Sequence, residues 1–161
     1  MKLIRFAAPA LVLAAFGAGK AHAQSSNTQD VTLEVQAINQ IAFTGSPSLV
    51  ISSAATGGAL NSATANATYA ITTNETGRKV TAQLDSDTPP GVTLSVNLAA
   101  PSLGTSAGTV QLGTSAQDVL TNVGRTSVSG LGLTYTLSAA ASAGVVAATT
   151  RTVTYTIVAG A

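Results

Sequence analysis

Two aspartates in the stretch DSDTPPG, residues 85–91, are the side chains of this 161-residue chain best suited to binding a metal. Carboxylate oxygens are the ligands that calcium prefers, and Asp118 could add a third group. Calcium takes about six to eight oxygens, however, and no closing Glu follows in register. A polar turn, in which Asp85 and Asp87 bond to nearby backbone groups, fits the same residues. The sequence favours the turn and predicts no metal site.

The same pair of aspartates raises the question of glycoside hydrolysis, which uses two carboxylic acids across the scissile bond. Asp85 and Asp87 would share one face only while a strand continues. Pro89 and Pro90 end that strand, because proline lacks the N–H group that a ladder bond needs. No aromatic residue that could line a sugar cleft stands beside them in the sequence. The sequence therefore predicts no catalytic residue here.

Nucleophilic and cofactor chemistry has few other candidates. The one histidine, His22, lies in the N-terminal stretch, and the chain has no cysteine. Without them a Ser-His-Asp triad, a Cys-His pair and an ordinary zinc site cannot form in the rest of the chain. Phosphate-binding glycine motifs are missing as well. We predict that the protein is not an enzyme and takes no cofactor.

Two sequons, NAT at Asn66 and NET at Asn74, match the N-glycosylation pattern. They predict exposed loops. Because the N-terminus has the form of a bacterial export signal, we interpret the match to the glycosylation pattern as accidental.

The first 23 residues have the layout of a signal peptide. Lys2 and Arg5 precede an apolar run over residues 6–19, and the small residues of AHA at 21–23 suit a signal peptidase. The apolar run is shorter than the roughly 20 residues that cross a bilayer. We expect cleavage after Ala23, export to the periplasm, cell surface or medium, and a mature chain without a transmembrane helix.

The mature chain, residues 24–161, keeps four basic and six acidic side chains, a net charge of −2. Binding to nucleic acid needs a cluster of Lys and Arg that neutralises phosphates. Four scattered positive charges do not form one, so nucleic acid is excluded as a partner.

Apolar and polar residues alternate along the mature chain with a period of two. This period predicts strands with one buried and one solvated face, and threonine suits the solvated face because its branched side chain favours extended backbone. The tyrosines are in phase with the apolar residues, which predicts core packing. The apolar phases are Val31–Leu33–Val35, Val80–Ala82–Leu84, Val92–Leu94–Val96–Leu98, Leu133–Tyr135–Leu137 and Val153–Tyr155–Ile157.

Turn residues divide these strands. NETG at 74–77 predicts a hairpin, DTPPG at 87–91 a loop, and SAAASAGVVAATT at 138–150 a long loop before the last strand. About eight to ten short strands in one domain are typical of a sandwich or barrel. We predict an all-β fold, a single antiparallel β-sandwich of the Ig-like or Greek-key kind over residues 24–161.

The segments VTLEVQAINQIAFTG (31–45) and TRTVTYTIVAG (150–160) make the chain resemble small exported bacterial surface and fimbrial subunits, the group of spore-coat-U-type and pilin-like domains. The resemblance implies a building block of extracellular fibres, coats or adhesins. Many of those domains carry a cysteine pair that this chain lacks.

Three functions are considered for this chain, and the last of them fits its composition least well. The first is a structural or adhesive surface subunit, possible partners being further copies of itself or other cell-surface components. The second is an exported binding module for a small ligand or glycan. The third is a small outer-membrane β-barrel, whose two aromatic girdles the four aromatic residues of the mature chain could not supply.

The segment NTQDVTLEVQAIN, residues 27–39, has two interpretations. It can be the first strand of its own sandwich, as sequential strands usually pair locally. It can instead add to the sheet edge of a neighbouring copy, with backbone bonds for affinity and alternate side chains for specificity. The sequence favours the first interpretation.

Overall fold

A computed structural model describes residues 25–160 of the protein. The predicted signal peptide, residues 1–23, lies outside the described residues. The chain divides into two units, Met1–Glu34 and Val35–Ala161. In the first unit the described residues, 25–34, form no strand or helix and are exposed. The second unit contains the folded domain.

Nine strands and one short 3-10 helix make up the described part of the domain, which is all-β as predicted. The β2–β3 turn and the loops after β3 and β8 stand where turn residues predicted them, and the last loop has only a 3-10 turn. The elements are β1 Asn39–Thr44, β2 Ala63–Thr73, β3 Arg78–Leu84, β4 Val92–Leu98, β5 Thr105–Ser106, β6 Val110–Gln111, β7 Gln117–Val123, β8 Thr126–Ala139, the 3-10 helix Ala141–Ala143 and β9 Val153–Ala159.

The strands form two antiparallel sheets, an arrangement consistent with a β-sandwich. The larger sheet has the order β1-β2-β8-β4-β6 and the smaller one β5-β7-β3-β9. The short strands β5 and β6 belong to different sheets although only residues 107–109 separate them. Gly108, with φ of 76°, allows the change of direction there. Within the described residues, β1 and β9 are edge strands of their sheets.

Inward side chains of both sheets form one hydrophobic core, because alternation places every second residue between the sheets. Burial follows the predicted phases in β3 and β9: Val80, Ala82 and Leu84 of β3 are buried, while Thr154 and Thr156 of β9 are exposed. The buried hydrophobic residues are Tyr69, Ile71, Val80, Ala82, Leu84, Val96, Leu98, Leu112, Val119, Leu120, Val123, Leu133 and Tyr135.

The two ends of the domain differ in their connections. Residues 74–77 form a turn between β2 and β3, which belong to different sheets and do not pair, so the predicted hairpin is wrong. Turn residues mark a reversal of the chain, but they do not decide whether the flanking strands pair. This β2–β3 turn, with Gly77 at φ of 66°, stands at what we call the turn end, and Gly160 donates to the Gly77 carbonyl at 2.7 Å. The long connections 45–62, 85–91 and 140–152 lie at the opposite end, which we call the loop end. Strand β1 therefore runs from the turn end to the loop end, and β9 runs the other way.

Candidate functional site

The acidic residues weighed as metal ligands bond to protein groups. The Asp85 carboxylate accepts a hydrogen bond from the Thr152 N–H at 3.1 Å, just before β9. The Asp87 carbonyl accepts one from Arg151 Nε at 2.9 Å. Asp118 forms an ion pair with Lys79 at 3.0 Å. Over residues 25–160, no three His, Cys, Asp or Glu side chains group together as metal ligands would. Asp85 and Asp87 connect the loop after β3 to the start of β9.

The sequons are not both on loops, so that part of the sequence interpretation is wrong. Asn66 lies in the middle of β2 on the solvated face, where its side-chain oxygen accepts a bond from Thr134 Oγ1 at 2.8 Å. The sequon signal depends on three residues only, and it does not report the strand around them. Asn74 does lie in the β2–β3 turn.

The predicted first strand is also wrong in position. Residues 31–35 are in no strand, and the first strand begins at Asn39. The apolar residues of this stretch are exposed, Val31 at 70%, Leu33 at 88% and Val35 at 84%. We call residues 25–38 the N-terminal segment. Its alternation is that of a strand, yet residues 25–38 are in no strand.

An open groove lies between β1 and β9, the edge strands that neighbour each other across the two sheets. Its volume is about 670 Å³. Inward residues on its two sides, Ile41 of β1 and Ile157 of β9, pack against the core but are only partly buried. We call this space the edge groove. It is lined by Asn39, Gln40, Ile41, Ala42, Ala70, Thr72, Tyr155, Thr156 and Ile157.

Aromatic rings lie next to the edge groove on its loop-end side, where Tyr155 lines it. The Phe43 ring stacks on Tyr155 with centroids 4.2 Å apart, and on Tyr69 with centroids 6.0 Å apart. The Tyr69 hydroxyl donates to the Ala99 carbonyl, and the hydroxyls of Tyr135 and Tyr155 hydrogen-bond to each other at 2.8 Å. The predicted core packing of the tyrosines is confirmed.

Burial governs the ionisation of these tyrosines. Removal from water penalises the charged phenolate, and this raises the pKa of Tyr69 to about 12. The pKa values of Tyr135 and Tyr155 are raised for the same main reason. All three hydroxyls are therefore neutral near pH 7 and act as hydrogen-bonding groups.

A polar cluster stands at the turn end, where the N-terminal segment joins β1. Asn74 bonds to Gln36 and Ile38, and Asn39 donates to the Glu75 carboxylate. Glu75 also pairs with Arg78. These contacts, Asn39 first, lower the pKa of Glu75, so that its carboxylate is charged at neutral pH. Sequence reasoning missed this cluster, since turn residues 74 and 75 give no signal for contacts with residues 36–39.

Comparison with family models, with curated proteins and with solved structures finds no match to this chain. Among residues 25–160, no helix has the length and apolar character that crossing a membrane requires. The edge groove, the N-terminal segment and the Asn74 cluster are therefore interpreted from their own geometry.

Proposed function

We propose that the protein is an exported, non-enzymatic structural subunit of a surface or extracellular assembly, as its resemblance to fimbrial and coat subunits implies. Copies join when the N-terminal segment of one adds as a strand to the edge groove of another. One observation carries the proposal: a groove that exposes Ile41 and Ile157 beside two sheet edges occurs in a chain whose segment of strand-like alternation is in no strand among the described residues.

The chemistry of the two surfaces supports this pairing. An edge strand presents N–H and C=O groups that can bond to an added strand. The outer edge of β9 offers such groups beside the partly buried Ile157. In an added strand Val31, Leu33 and Val35 point to one side, where they can fill the apolar floor of the edge groove. The alternate Thr32 and Glu34 would face water.

Assembly is tested with the chain that begins at Gln24. Light scattering and electron microscopy are expected to show fibres or large oligomers for the unchanged chain. A triple variant, Val31→Thr, Leu33→Thr and Val35→Thr, keeps strand propensity but removes the apolar side chains, and it should remain monomeric. The matched control changes alternate positions on the other side of the segment, Thr28→Ser and Thr32→Ser, and should still assemble.

A synthetic peptide of residues 27–39 provides an independent measurement. Added in excess, it should bind the triple variant and should stop growth of the unchanged chain. If the unchanged chain is monomeric at all concentrations and does not bind the peptide, assembly by strand addition is wrong.

A binding module is the second candidate, because three long connections lie together at the loop end. Their exposed apolar residues include Val50, Val145 and Val146. A monomeric chain whose ligand affinity is lost on shortening residues 140–152 would favour this function over a structural one.

Export has its own test. Mass spectrometry of the protein recovered outside the cytoplasm should find Gln24 at the N-terminus, as an open or a cyclised residue. Replacement of Ala21 and Ala23 by bulky residues should leave uncleaved precursor at the inner membrane. Recovery of exported protein that still contains residues 1–23 would contradict the proposed signal peptide.

A further inference from the structure

The N-terminal segment has two possible destinations, the edge groove of its own chain and that of a second copy. If residues 36–38 formed a hairpin loop, Leu33 would lie opposite Ile41 and Val31 opposite Phe43. Ile41 and Phe43 are inward positions of β1, since they pair with Ile71 and Tyr69. The same alternation that fits another copy therefore fits the chain's own groove, and hydrophobic pattern alone does not choose between them.

Strand direction distinguishes the two destinations. β1 leaves the turn end, so a segment that folds back onto β1 is antiparallel to β1 and runs toward the turn end. β9 runs toward that end as well, because it is antiparallel to β3. The chain's own segment would thus be parallel to β9, whereas a segment from a second copy can enter antiparallel to β9, the edge strand that the proposed function has it join. At β9 the second arrangement is slightly favoured, because parallel pairs are slightly less stable per residue than antiparallel ones.

Asn74 hydrogen-bonds to residues 36–38, the residues that would have to form a loop if the N-terminal segment folded back onto β1. Its side-chain oxygen accepts from the Ile38 N–H at 2.8 Å, and its Nδ2 donates to the Gln36 carbonyl at 2.7 Å. Its backbone N–H donates to the Ile38 carbonyl at 3.2 Å. One side chain therefore bridges both ends of residues 36–38, just beyond the last paired residues of β1 and β2.

Neighbouring groups hold Asn74 in place within the β2–β3 turn. Arg125 Nε donates to the Asn74 carbonyl at 3.1 Å. The next residue, Glu75, bonds through its backbone N–H to Thr73 Oγ1 at 3.1 Å and through its carboxylate to Asn39. The bridge from Asn74 to residues 36–38 thus extends from a turn that neighbouring groups already orient.

We propose that Asn74 is a positioning residue that keeps residues 36–38 from turning back, so that the edge groove stays open for the N-terminal segment of a second copy. This inference rests on the proposed function for its biological use. The closure of a chain's own groove can nevertheless be measured whether or not copies assemble.

A pair of cysteines reports that closure. The chain has no cysteine of its own, so Leu33→Cys with Ile41→Cys introduces one defined pair. In the fold-back hairpin these residues are directly opposite, at a Cα separation of about 4.5–5.5 Å, which a disulfide can bridge. The pair is placed in the chain from Gln24 with Asn74 intact, with Asn74→Ala and with Asn74→Asp. Asp keeps the acceptor for Ile38 but cannot donate to Gln36.

Mild oxidation of dilute protein, followed by peptide mass mapping, measures the disulfide within one chain. We expect little of it with Asn74 intact. Asn74→Ala should raise the fraction about fivefold or more, the order of change that the loss of one to two net hydrogen bonds produces. Asn74→Asp should also raise it, since the contact with Gln36 is lost. Asn61→Ala is the control, because it removes a hydrogen bond that the Asn61 side-chain amide donates to Ser53 Oγ at the loop end.

Circular dichroism verifies that each variant keeps its strands. An equal disulfide fraction with and without Asn74 overturns the inference, whether that fraction is high or low. Assembly of the unchanged chain is scored separately by light scattering. Fibres with no effect of Asn74 would contradict only this inference. A monomeric unchanged chain whose closure depends on Asn74 would contradict only the proposed function.

Discussion

The interior of the two sheets and the β1–β9 edge show the same alternation but reach different degrees of burial. Inward residues of the central strands, such as Tyr69, Val80 and Leu98, are at most 1% exposed. The corresponding residues beside the edge groove, Ile41 and Ile157, remain partly exposed. Central strands are covered by a neighbour on each side and by the opposite sheet, whereas an edge strand lacks one neighbour. Alternation therefore selects the face of a residue, and position in the sheet sets how far it is buried.

Polar contacts show the same contrast. Inside the domain, the hydroxyls of Tyr69, Tyr135 and Tyr155 have protein partners. Along the outer sides of β1 and β9, backbone groups lack a ladder partner among the described residues. Buried polar groups that lose their partners destabilise a fold, but exposed edge groups can bond to water or to another strand. The interior is thus complete within one chain, and the edge is suited to an added strand.

Truncation of a side chain in the interior is expected to lower the free energy of unfolding most. Leu98→Ala should lower the free energy of unfolding by about 2–5 kcal/mol, because it removes buried apolar contacts and leaves a cavity. Denaturant unfolding measures the change. Leu103→Ala, at an exposed leucine in the next loop, is the control and should stay within about 0.5 kcal/mol. Equal effects at the two leucines would contradict the assigned core.

Truncation of a side chain beside the edge groove should lower the free energy of unfolding by a smaller amount. The strand pattern alone suggests about 2–5 kcal/mol for Ile157→Ala, as for a core residue. Partial burial reduces this to about 1–2 kcal/mol in the isolated chain, since less apolar area leaves water. Thr154→Ala, on the exposed face of the same strand, should change stability by no more than about 1 kcal/mol.

Addition of the peptide of residues 27–39 sharpens this test. If the peptide covers Ile157, the cost of Ile157→Ala should rise toward the interior value in its presence. A cost that is the same with and without peptide would show that the edge groove is not where the peptide binds. A larger loss from Thr154→Ala than from Ile157→Ala would reverse the assigned faces of β9.

Removal of the hydrogen bond between Tyr135 and Tyr155 should have the smallest effect on the free energy of unfolding at neutral pH. Tyr155→Phe removes the bond to Tyr135 and should cost about 1 kcal/mol. The raised pKa values make a second prediction: the folded state holds its phenol protons more tightly than the unfolded state. Stability is then full below pH 10, near the ordinary tyrosine pKa, and falls as pH rises toward 12.

Absorbance of phenolate, followed with denaturant unfolding between pH 9 and pH 12, measures this loss. Val110→Ala, a partly buried residue with no titrating group, provides a control whose effect should not change over the range. Ordinary titration of all three tyrosines near pH 10 while the strands persist would contradict their burial.

Much of the fold was predictable because period two is a local property of the chain. Thr154, Tyr155 and Thr156 alternate on either side of the backbone wherever β9 lies, so their faces followed from sequence. The chain reversal at 74–77 and the loop at 85–91 were predictable for a similar reason, since glycine permits and proline restricts particular backbone conformations locally. The predicted hairpin at 74–77 was wrong, because β3 pairs with the distant strands β7 and β9 and not with β2.

The candidate site depended on contacts between distant parts of the chain, and these only the tertiary structure decided. Val31, Leu33 and Val35 have the pattern of a strand, but whether a strand pairs depends on which edge is near it. The edge groove exists because β1 and β9, more than 100 residues apart in sequence, are neighbours. The Asn74 bridge likewise joins residues separated by 36 and 38 positions. Alternation along one strand determined each residue's side, whereas pairing across strands determined which apolar residues were left without cover.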